Sequence, residues 1–392
     1  MGYTLLMGSS ATTTEVDIIS LVDKIFSKAI DTGTSDVHLD PETDGFNVRF
    51  RIDGLLYLAQ TLEKSLEEGL ISRIKVLSQL NITERRLPQD GHLEFSHQNF
   101  VYNIRISTFP TNRGESVVMR ILDRKGSVFE IKDLGLDENE VQTLENMITN
   151  PFGIILVTGP IGSGKTSFLY SILNKLRTIN KNIVTIEDPV EVNLPGVRQL
   201  QVRENIGLDF SKAIRSIARQ DPNVIMVGEI RDNDTAYTAF QAALSGVLVF
   251  ATFHTFDVPG LILRLLEMNI PRSVVAHSIR GVISIRLVRK ICSVCHQPLP
   301  TNQETNGSIF EESIDKCAQC HGIGYFGRTC VSQIIPFDND TRLKILEGTA
   351  LSDLQAFFSQ KGYKTLKEVG AEKVSSGITT AEEIARVIGV LE

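Results

Sequence analysis

GPIGSGKT, residues 159–166, is the stretch that decides the fold of this 392-residue sequence. It fits the pattern GxxxxGK[ST], whose glycines let successive main-chain N–H groups approach phosphate oxygens at the start of a helix. The apolar run 154–157 precedes it as a buried parallel strand would, and apolar residues at helical spacing follow it. The stretch therefore predicts a strand, a phosphate-binding loop and a helix.

The residues of this loop predict a nucleotide ligand, with ATP as the first hypothesis. Lys165 is expected to reach the β- and γ-phosphates, and Thr166 to offer its hydroxyl to Mg²⁺. The predicted nucleotide-binding residues of the loop are Gly159, Pro160, Ile161, Gly162, Ser163, Gly164, Lys165, Thr166 and Ser167.

Composition limits the class of protein. Hydrophobic residues make up 42% and charged residues 22%, ordinary values for a globular chain of about two or three domains. The formal net charge of −7 argues against nucleic acid as a general partner. No apolar run approaches the roughly 18 residues of a membrane span, and no basic residue of a secretory signal precedes Lys24. We therefore expect a cytoplasmic protein.

The residue pattern predicts an α+β domain over residues 15–123, after a loose polar end at 1–14. Two helices and four strands are expected in it, over residues 15–29, 66–80, 46–51, 55–58, 101–107 and 117–122. LPQDG at 87–91 predicts a turn. The charged stretch 124–150 is expected to be a linker and lead-in, and the place of a hinge.

The second predicted domain, residues 151–392, alternates short apolar runs with helical patterns, which is typical of a parallel sheet wrapped by helices. Its predicted strands are 154–157, 183–186, 224–227 and 247–252. A cysteine-bearing insert at 290–330 is expected after the last strand, and helices over 338–392. Thr380 with Glu383 has the pattern of a capping box for the final helix.

Acidic residues follow two of these predicted strands. Glu187, Asp188 and Glu191 come after the second strand, and Glu229 comes directly after the third. Because ligands bind at the carboxyl ends of strands in open α/β sheets, we expect these acids to share one edge with the phosphate loop. Nucleotide hydrolysis needs acids there to hold Mg²⁺ and to orient water. Thr166 is the expected Mg²⁺ ligand of the loop, and Glu187, Asp188, Glu191 and Glu229 are expected in the nucleotide site.

Four arginines are candidates for neutralising charge on the phosphate. Asp209 is the predicted N-cap of a helix through Arg219, on which Arg215 and Arg219 share a face because they are four residues apart. Arg105 and Arg120 lie on predicted strands of the first domain. Such arginines are often supplied by another domain or subunit.

Four of the five cysteines form two CxxC pairs, Cys292 with Cys295 and Cys317 with Cys320. The 21 residues between the pairs are close to the spacing of a four-cysteine Zn²⁺ site, and cytosolic thiols stay reduced. We therefore expect a structural zinc. Both pairs continue as CxxCH, so haem attachment, which belongs to exported proteins, is a weaker alternative, and a histidine could replace a thiolate. Cys330 is expected to be a thiol without a metal.

Together these motifs resemble the secretion ATPase superfamily, and more narrowly the assembly ATPases of type II secretion and type IV pili. Besides the phosphate loop, the stretches that carry the resemblance are SDVHLDP (35–41), VRFRIDGLL (48–56), RRLPQDG (85–91), RISTFPTNRGESVVMRIL (105–122), TIEDPVE (185–191), ARQDPNVIMVGEIRD (218–232), ATFHTFD (251–257) and RLVRKICSVC (286–295). The resemblance implies a RecA-like ATPase domain with a parallel sheet and a four-cysteine zinc insert, preceded by a smaller PAS-like α+β domain.

The same resemblance implies a function and partners. Such a protein is a homohexamer in the cytoplasm, peripheral to the inner membrane and docked on a platform protein there. It hydrolyses ATP to drive pilus or pseudopilus assembly, or type II secretion. The domain with which many of these ATPases bind a membrane adaptor is expected to be missing in front, so the chain would attach differently or lack that partner.

By position, the resemblance also assigns roles to single residues. Glu191 matches the residue that polarises water, Glu229 matches the Walker B glutamate beside Mg²⁺, and His254 matches a histidine that senses the nucleotide state. The arginines expected to reach the nucleotide are Arg105, Arg120, Arg215 and Arg219. The four cysteines match the zinc motif of the assembly branch, which retraction ATPases lack.

The sequence departs from the family pattern at three places. Val247 stands where the first histidine of the family's histidine box is expected, Ile285 replaces a glutamine, and Cys330 replaces the last glycine of a GRTG motif. Three alternatives follow: a structural ring subunit that binds ATP but hydrolyses it weakly, a pilus retraction ATPase, and a nucleic-acid-dependent ATPase.

Overall fold

The computed structural model describes residues 17–122, 130–296, 317–348 and 350–390. These residues form two compact units, one up to residue 122 and one from residue 130, each with its own sheet. The predicted loose end, residues 1–14, lies outside the described residues. Along the described chain, every helix is too short or too polar to cross a bilayer.

An antiparallel sheet forms the first unit, in the strand order β3-β2-β1-β6-β5-β4. Its elements are α1 (Ile18–Asp31), β1 (Asp36–Pro41), β2 (Phe46–Ile52), β3 (Leu55–Leu62), α2 (Glu67–Leu77), β4 (Gln89–His97), β5 (Phe100–Thr111) and β6 (Gly114–Leu122). α1 begins where the Asp17 carboxylate accepts a hydrogen bond from the Ile19 N–H, and its Phe26 ring lies 5.1 Å from that of Phe95 on β4. Buried and more exposed residues alternate along β2 and β5, so the other face of the sheet is polar.

Two strands of this sheet, β1 and β4, were not predicted from the sequence. LPQDG, predicted to be a turn, instead runs into β4, because Gln89 and Gly91 pair with Thr108 and Ile106 of β5. β1 is only six residues long and contains Asp36 and Asp40, so its apolar pattern is weak.

A mostly parallel sheet forms the second unit, in the strand order β13-β12-β7-β11-β10-β8-β9. Its strands are β7 (Gly153–Thr158), β8 (Ile183–Glu187), β9 (Arg198–Gln201), β10 (Val224–Val227), β11 (Leu248–Phe253), β12 (Ile279–Ile291) and β13 (Tyr325–Pro336). Its helices are α3 (Glu138–Ile148), α4 (Lys165–Leu176), α5 (Phe210–Ile217), α6 (Asn233–Leu244), α7 (Val258–Glu267), α8 (Arg272–Ser278), α9 (Asn339–Glu347), α10 (Leu351–Gln360), α11 (Leu366–Ser375) and α12 (Ala381–Val387).

Helices cover both faces of this sheet. Every residue of β7 and β10 is buried, as expected for the central strands of a parallel sheet. Only β13 runs antiparallel to its neighbour, β12. The predicted fold class, a parallel sheet wrapped by helices with a smaller α+β domain before it, is confirmed.

The sheet contains three strands that the sequence did not predict, β9, β12 and β13. β12 was missed because Arg280, Arg286, Arg289 and Lys290 interrupt its apolar pattern. The cysteine-bearing insert was predicted to follow the last strand of the sheet. Instead the first and last residues of 290–330 belong to two further strands, β12 and β13. Residues 297–316 of the insert lie outside the described residues.

The described part of the predicted linker belongs to the second unit. Residues 131–134 form a 3₁₀ turn and α3 follows, with Ile131, Leu144, Met147 and Ile148 buried in the core against α4 and β7. Residues 131–148 are therefore packed structure, and the expectation of a linker there is wrong.

α12 is attached to β12 by a buried ion cluster. The Thr380 hydroxyl accepts a hydrogen bond from the Glu383 N–H, as predicted for the cap. The Glu383 carboxylate, however, does not return to the cap: it binds Arg289 of β12 (2.8 Å) and Arg386. Arg289 also lies 3.9 Å from the centre of the Tyr325 ring on β13. The C-terminal helix is thus fixed to the strands that carry the cysteines.

Replacing Glu383 with glutamine should lower the free energy of unfolding at neutral pH by ~3 kcal/mol, because it leaves a buried guanidinium without its partner. Burial alone would raise the pKa of Glu383, but hydrogen bonds from Arg386 and Arg289 outweigh it and hold that pKa below the ordinary 4.5. The stabilisation is therefore present above pH 4.5 and is lost as the pH falls through the lowered pKa.

Denaturant unfolding over a pH series checks this prediction. The wild type and Glu383→Gln are compared with Glu382→Gln, a change at an exposed neighbour that serves as the control. Equal stability of the two variants at pH 7 would contradict the prediction.

Candidate nucleotide-binding site and zinc centre

The phosphate loop connects β7 to α4, and β12 lies directly against it. A Cβ atom on Gly159 would stand 2.6 Å from the main-chain oxygen of Ile285, and one on Gly164 would stand 2.9 Å from the Leu287 side chain. Gly164 also has a φ of 86°, in the region that favours glycine. The loop therefore needs these glycines, because it turns tightly against a strand.

The loop presents the groups that bind phosphate. Thr166 is half-buried in the first turn of α4, and the Ser163 hydroxyl is buried without a hydrogen-bond partner among the described residues. A triphosphate could be bound by the N–H groups at the N-terminus of α4, by the Lys165 ammonium and by the Ser163 hydroxyl. The Thr166 hydroxyl would be available to Mg²⁺. The outer side of the loop, which is exposed, consists of Pro160, Ile161, Gly162 and Ser167.

The Lys165 ammonium is held by the loop itself. Its Nζ atom donates hydrogen bonds to the main-chain oxygens of Gly159 (2.7 Å) and Pro160 (2.9 Å), and lies 3.4 Å from His254 Nδ1. Burial lowers the pKa of Lys165 to about 8; the Glu229 carboxylate opposes this and Arg286 adds to it. The side chain therefore lies inside the loop, where its ammonium group could bind a phosphate in place of these main-chain oxygens.

A connected group of charged side chains extends from Lys165 across the sheet edge. His254 follows β11, and its Nε2 atom lies 3.4 Å from Glu229, which follows β10. Glu229 also pairs with Arg231, whose Nη1 atom lies 3.9 Å from Asp188 at the end of β8. The structure thus places four predicted site residues from four strand ends at one edge.

The other two predicted acids are placed differently from each other. Glu187 is the last residue of β8 and is buried, and its carboxylate accepts hydrogen bonds from Tyr170, Thr185 and Gln199. Burial raises the pKa of Tyr170, and the Glu187 carboxylate raises it further. Glu187 therefore fixes packing behind the site. Glu191 is exposed in the segment that joins β8 to β9.

The two arginines near α5 do not share one helix face as predicted. α5 starts at the predicted cap, Asp209, but ends at Ile217, so that Arg219 lies in the turn beyond it. Arg219 Nη1 folds back to donate to the main-chain oxygen of Arg215 (2.8 Å), and both side chains are exposed. The helix ends at Ile217, and the segment after it leads to β10, which begins at Val224.

The two arginines of the first unit lie directly opposite each other on β5 and β6. Arg120 Nε donates to the buried carboxylate of Asp36 on β1 (2.8 Å). Hydrogen bonds from Arg120 and Ser35 hold the pKa of Asp36 below its ordinary value, although burial acts to raise it. Arg105 is exposed on the same polar face.

Sequence reasoning missed three residues of the site. Arg231 could have been found from the sequence, because it is a basic residue two positions after Glu229, a predicted site residue. Thr158, the last residue of β7, donates to the main-chain oxygen of Thr255 (2.7 Å), next to His254. Arg286 could be found only after β12 was known to lie against the loop.

The four cysteines of the two CxxC pairs meet at one point. Their sulfur atoms all lie within 4.8 Å of one another, with Cys292 and Cys317 3.7 Å apart and Cys295 and Cys320 3.6 Å apart. A tetrahedron of ~2.3 Å Zn–S bonds has sulfur atoms about 3.8 Å apart. N–H groups of Cys320 and Gln319 lower the pKa of Cys317 to about 7, whereas burial raises the pKa of Cys320 to about 12, so a metal ion would have to displace the proton of Cys320.

This arrangement fits one Zn²⁺ ion held by four thiolates. Each pair forms the same turn, closed by the His296 N–H on the Cys292 oxygen and by the His321 N–H on the Cys317 oxygen. The meeting of both pairs favours a single metal ion over haem attachment and over a histidine ligand. Cys330 lies apart on β13, where burial raises the pKa of its thiol to about 12.

Purified wild-type protein should contain one zinc per chain, and Cys317→Ser should lose it. Cys330→Ser, which removes a buried thiol of the same region outside the cluster, should keep it. Metal analysis by mass spectrometry, with thermal unfolding of the same samples, checks this. Equal zinc in the wild type and Cys317→Ser would contradict the assignment.

Comparison with known proteins shows the family of the chain. The family model of type II/IV secretion system proteins matches residues 11–386. The type II secretion system protein HxcR of Pseudomonas aeruginosa is 40% identical over 370 residues, which are 94% of this chain and 77% of that protein. The type IV pilus assembly ATPase PilB of Thermus thermophilus is 40% identical over 94% of this chain and 42% of its own length.

A solved structure has the same fold. The pilus retraction motor PilT, with bound ADP, matches with a TM-score of 0.62 and 25% identity, over 93% of this chain and 96% of that one. Both the family resemblance and the ATPase class predicted from the motifs are confirmed. The chain belongs to the family of type II/IV secretion system proteins and is an ATPase of that family.

Proposed function

We propose that this chain is a hexameric motor that hydrolyses ATP to drive the assembly of a pilus or pseudopilus, or type II secretion. The observation that carries the proposal is the contact of Lys165 with His254, and of His254 with Glu229, beside the phosphate loop. Both assembly and secretion proteins are among the relatives, at 40% identity.

The arrangement supports a specific division of tasks. Lys165 would exchange the main-chain oxygens of Gly159 and Pro160 for the β- and γ-phosphates, and Thr166 and Glu229 would hold Mg²⁺. Mg²⁺ neutralises charge on the phosphates. Glu191, which is exposed, would orient the attacking water. His254, in contact with both Lys165 and Glu229, would report the state of the nucleotide.

The arginines would neutralise charge that develops on the transferred phosphoryl group. Arg105 and Arg120 stand directly opposite each other on neighbouring strands, where like charges repel. The Asp36 carboxylate offsets this repulsion at Arg120, and a phosphate would supply a further anion. Arg215 and Arg219 are exposed and would act on the same group. The platform protein at the inner membrane, and an adaptor, are the partners expected for such a cytoplasmic, membrane-peripheral motor.

Val247 does not argue for a weakly hydrolysing ring subunit. It is buried just before β11, and its main-chain oxygen accepts a hydrogen bond from Gly153, the first residue of β7. His254 follows the other end of β11, so Val247 lies at the sheet edge opposite to the phosphate loop. The zinc cluster favours an assembly or secretion motor over a retraction motor.

Two variants test the motor. Lys165→Ala should abolish nucleotide binding, because the ammonium that neutralises the phosphates is lost. Glu191→Gln should keep binding but lower turnover about 10²- to 10⁴-fold, the usual contribution of a positioned base. ATP turnover and the affinity for a fluorescent ATP analogue are the measurements.

Glu138→Gln is the matched control, since Glu138 is an exposed acid at the start of α3, outside the proposed site. If Glu191→Gln turned over ATP as fast as Glu138→Gln, the assignment of Glu191 would be wrong. If the wild type bound ATP but turned it over no faster than Glu191→Gln, the motor would give way to the structural ring subunit.

A further inference from the structure

Arg286 is a buried cation beside the phosphate loop to which neither the resemblance nor the proposed function gives a role. It lies on β12 between Ile285 and Leu287, the two residues that contact the glycines of the loop. Only 4% of the residue is exposed. Its Nη1 atom donates to the main-chain oxygen of Ile285 (2.8 Å), and its Nη2 atom donates to that of Phe256 (2.8 Å).

Phe256 belongs to the segment 254–257, here called the histidine loop, which joins β11 to α7 and begins with His254. Three side chains hold the main chain of this loop. Thr158 donates to the oxygen of Thr255 and accepts from its N–H, Ser284 donates to the oxygen of Phe256 (3.3 Å), and Arg286 donates to the same oxygen. The loop is therefore attached to β7 and β12.

The surroundings of Arg286 disfavour its positive charge. No carboxylate lies within ion-pair distance of it in the described part of the chain, and burial lowers its pKa, although the more distant Asp257 acts to raise it. It also lies close enough to Lys165 to disfavour the charged ammonium. Burying a guanidinium without a carboxylate partner costs free energy, which hydrogen bonds to main-chain oxygens offset only in part.

We propose that Arg286 is a positioning residue for ATP hydrolysis, which fixes the histidine loop so that His254 lies between Lys165 and Glu229. The inference rests on the proposed function, because it gives Arg286 a part in the same reaction. Arg286 acts through the Phe256 oxygen and does not contact the nucleotide. Its loss should change the rate of the chemical step and leave nucleotide affinity nearly unchanged.

Arg280 offers a matched control on the same strand. Its side chain also donates to two main-chain oxygens, those of Phe152 and His277 (both 3.0 Å). It lies near the start of β7, at the sheet edge opposite to the phosphate loop. Arg280→Met therefore removes the same kind of interaction at a site without His254.

Arg286→Met should lower kcat about tenfold or more and change the affinity for an ATP analogue by less than about threefold. Arg286→Lys, which can still donate to the Phe256 oxygen, should recover part of the loss. Arg286→Met combined with His254→Ala should be no slower than His254→Ala alone, because both changes remove one function. Additive losses, or a loss of nucleotide affinity, would overturn the proposal.

A measurement independent of turnover separates this inference from the motor itself. Diethylpyrocarbonate modifies exposed imidazoles, and mass spectrometry of the peptide that contains His254 gives its rate. We expect this rate to change about threefold or more in Arg286→Met and to stay at the wild-type value in Arg280→Met. An unchanged rate in Arg286→Met overturns the positioning role, whether or not the wild type hydrolyses ATP. An inactive wild type with the expected change would overturn the motor and the part of Arg286 in hydrolysis, while the positioning of His254 by Arg286 would stand.

Discussion

The hydrogen bonds of the Lys165 ammonium are the interactions on which the rest of the site depends. A buried cation must be paired or bonded, and here two main-chain oxygens of the phosphate loop and the His254 ring receive it. Those bonds hold the loop in the shape that a phosphate would enter. Through His254 they extend to Glu229, so that side-chain contacts connect the strand ends of β7, β10 and β11. A nucleotide that accepted the hydrogen bonds of the ammonium group would change the contacts at all three.

β12 gives this group a rigid support and connects it to the zinc cluster. The strand contacts the phosphate loop at Ile285 and Leu287, and the histidine loop at Arg286. Three residues further, Arg289 binds Glu383 of α12, and the strand then leads directly to Cys292. At ~3.3 Å per residue, the distance along the strand from Arg286 to Cys292 is about 20 Å. Zinc would therefore stabilise the far end of the same strand that supports the nucleotide site.

The sequence predicted the features that depend on local pattern and failed where tertiary packing decides. The phosphate loop, the four central strands and the four cysteines each carry a strong local signal, and the structure has them. β12 was missed because four cations interrupt its apolar residues, yet Arg286 and Arg289 are buried by contacts with distant segments. Residues 131–148 look like a linker because they are rich in charge, while only a few apolar residues, Ile131, Leu144, Met147 and Ile148, are buried in the core. Glu187 has the position of a site residue, but its carboxylate is used inside the unit by Tyr170, a partner that no sequence spacing indicates.

The central claim is that the group around Lys165 is an ATP site, and a structure of the chain with Mg²⁺ and a non-hydrolysable ATP analogue tests it most directly. The account predicts the β- and γ-phosphates inside the loop, with Lys165 Nζ bonded to them instead of to Gly159 and Pro160. Mg²⁺ should then lie between Thr166 and Glu229. A nucleotide bound elsewhere, or a Lys165 that keeps its bonds to the loop when the analogue is present, would contradict the account.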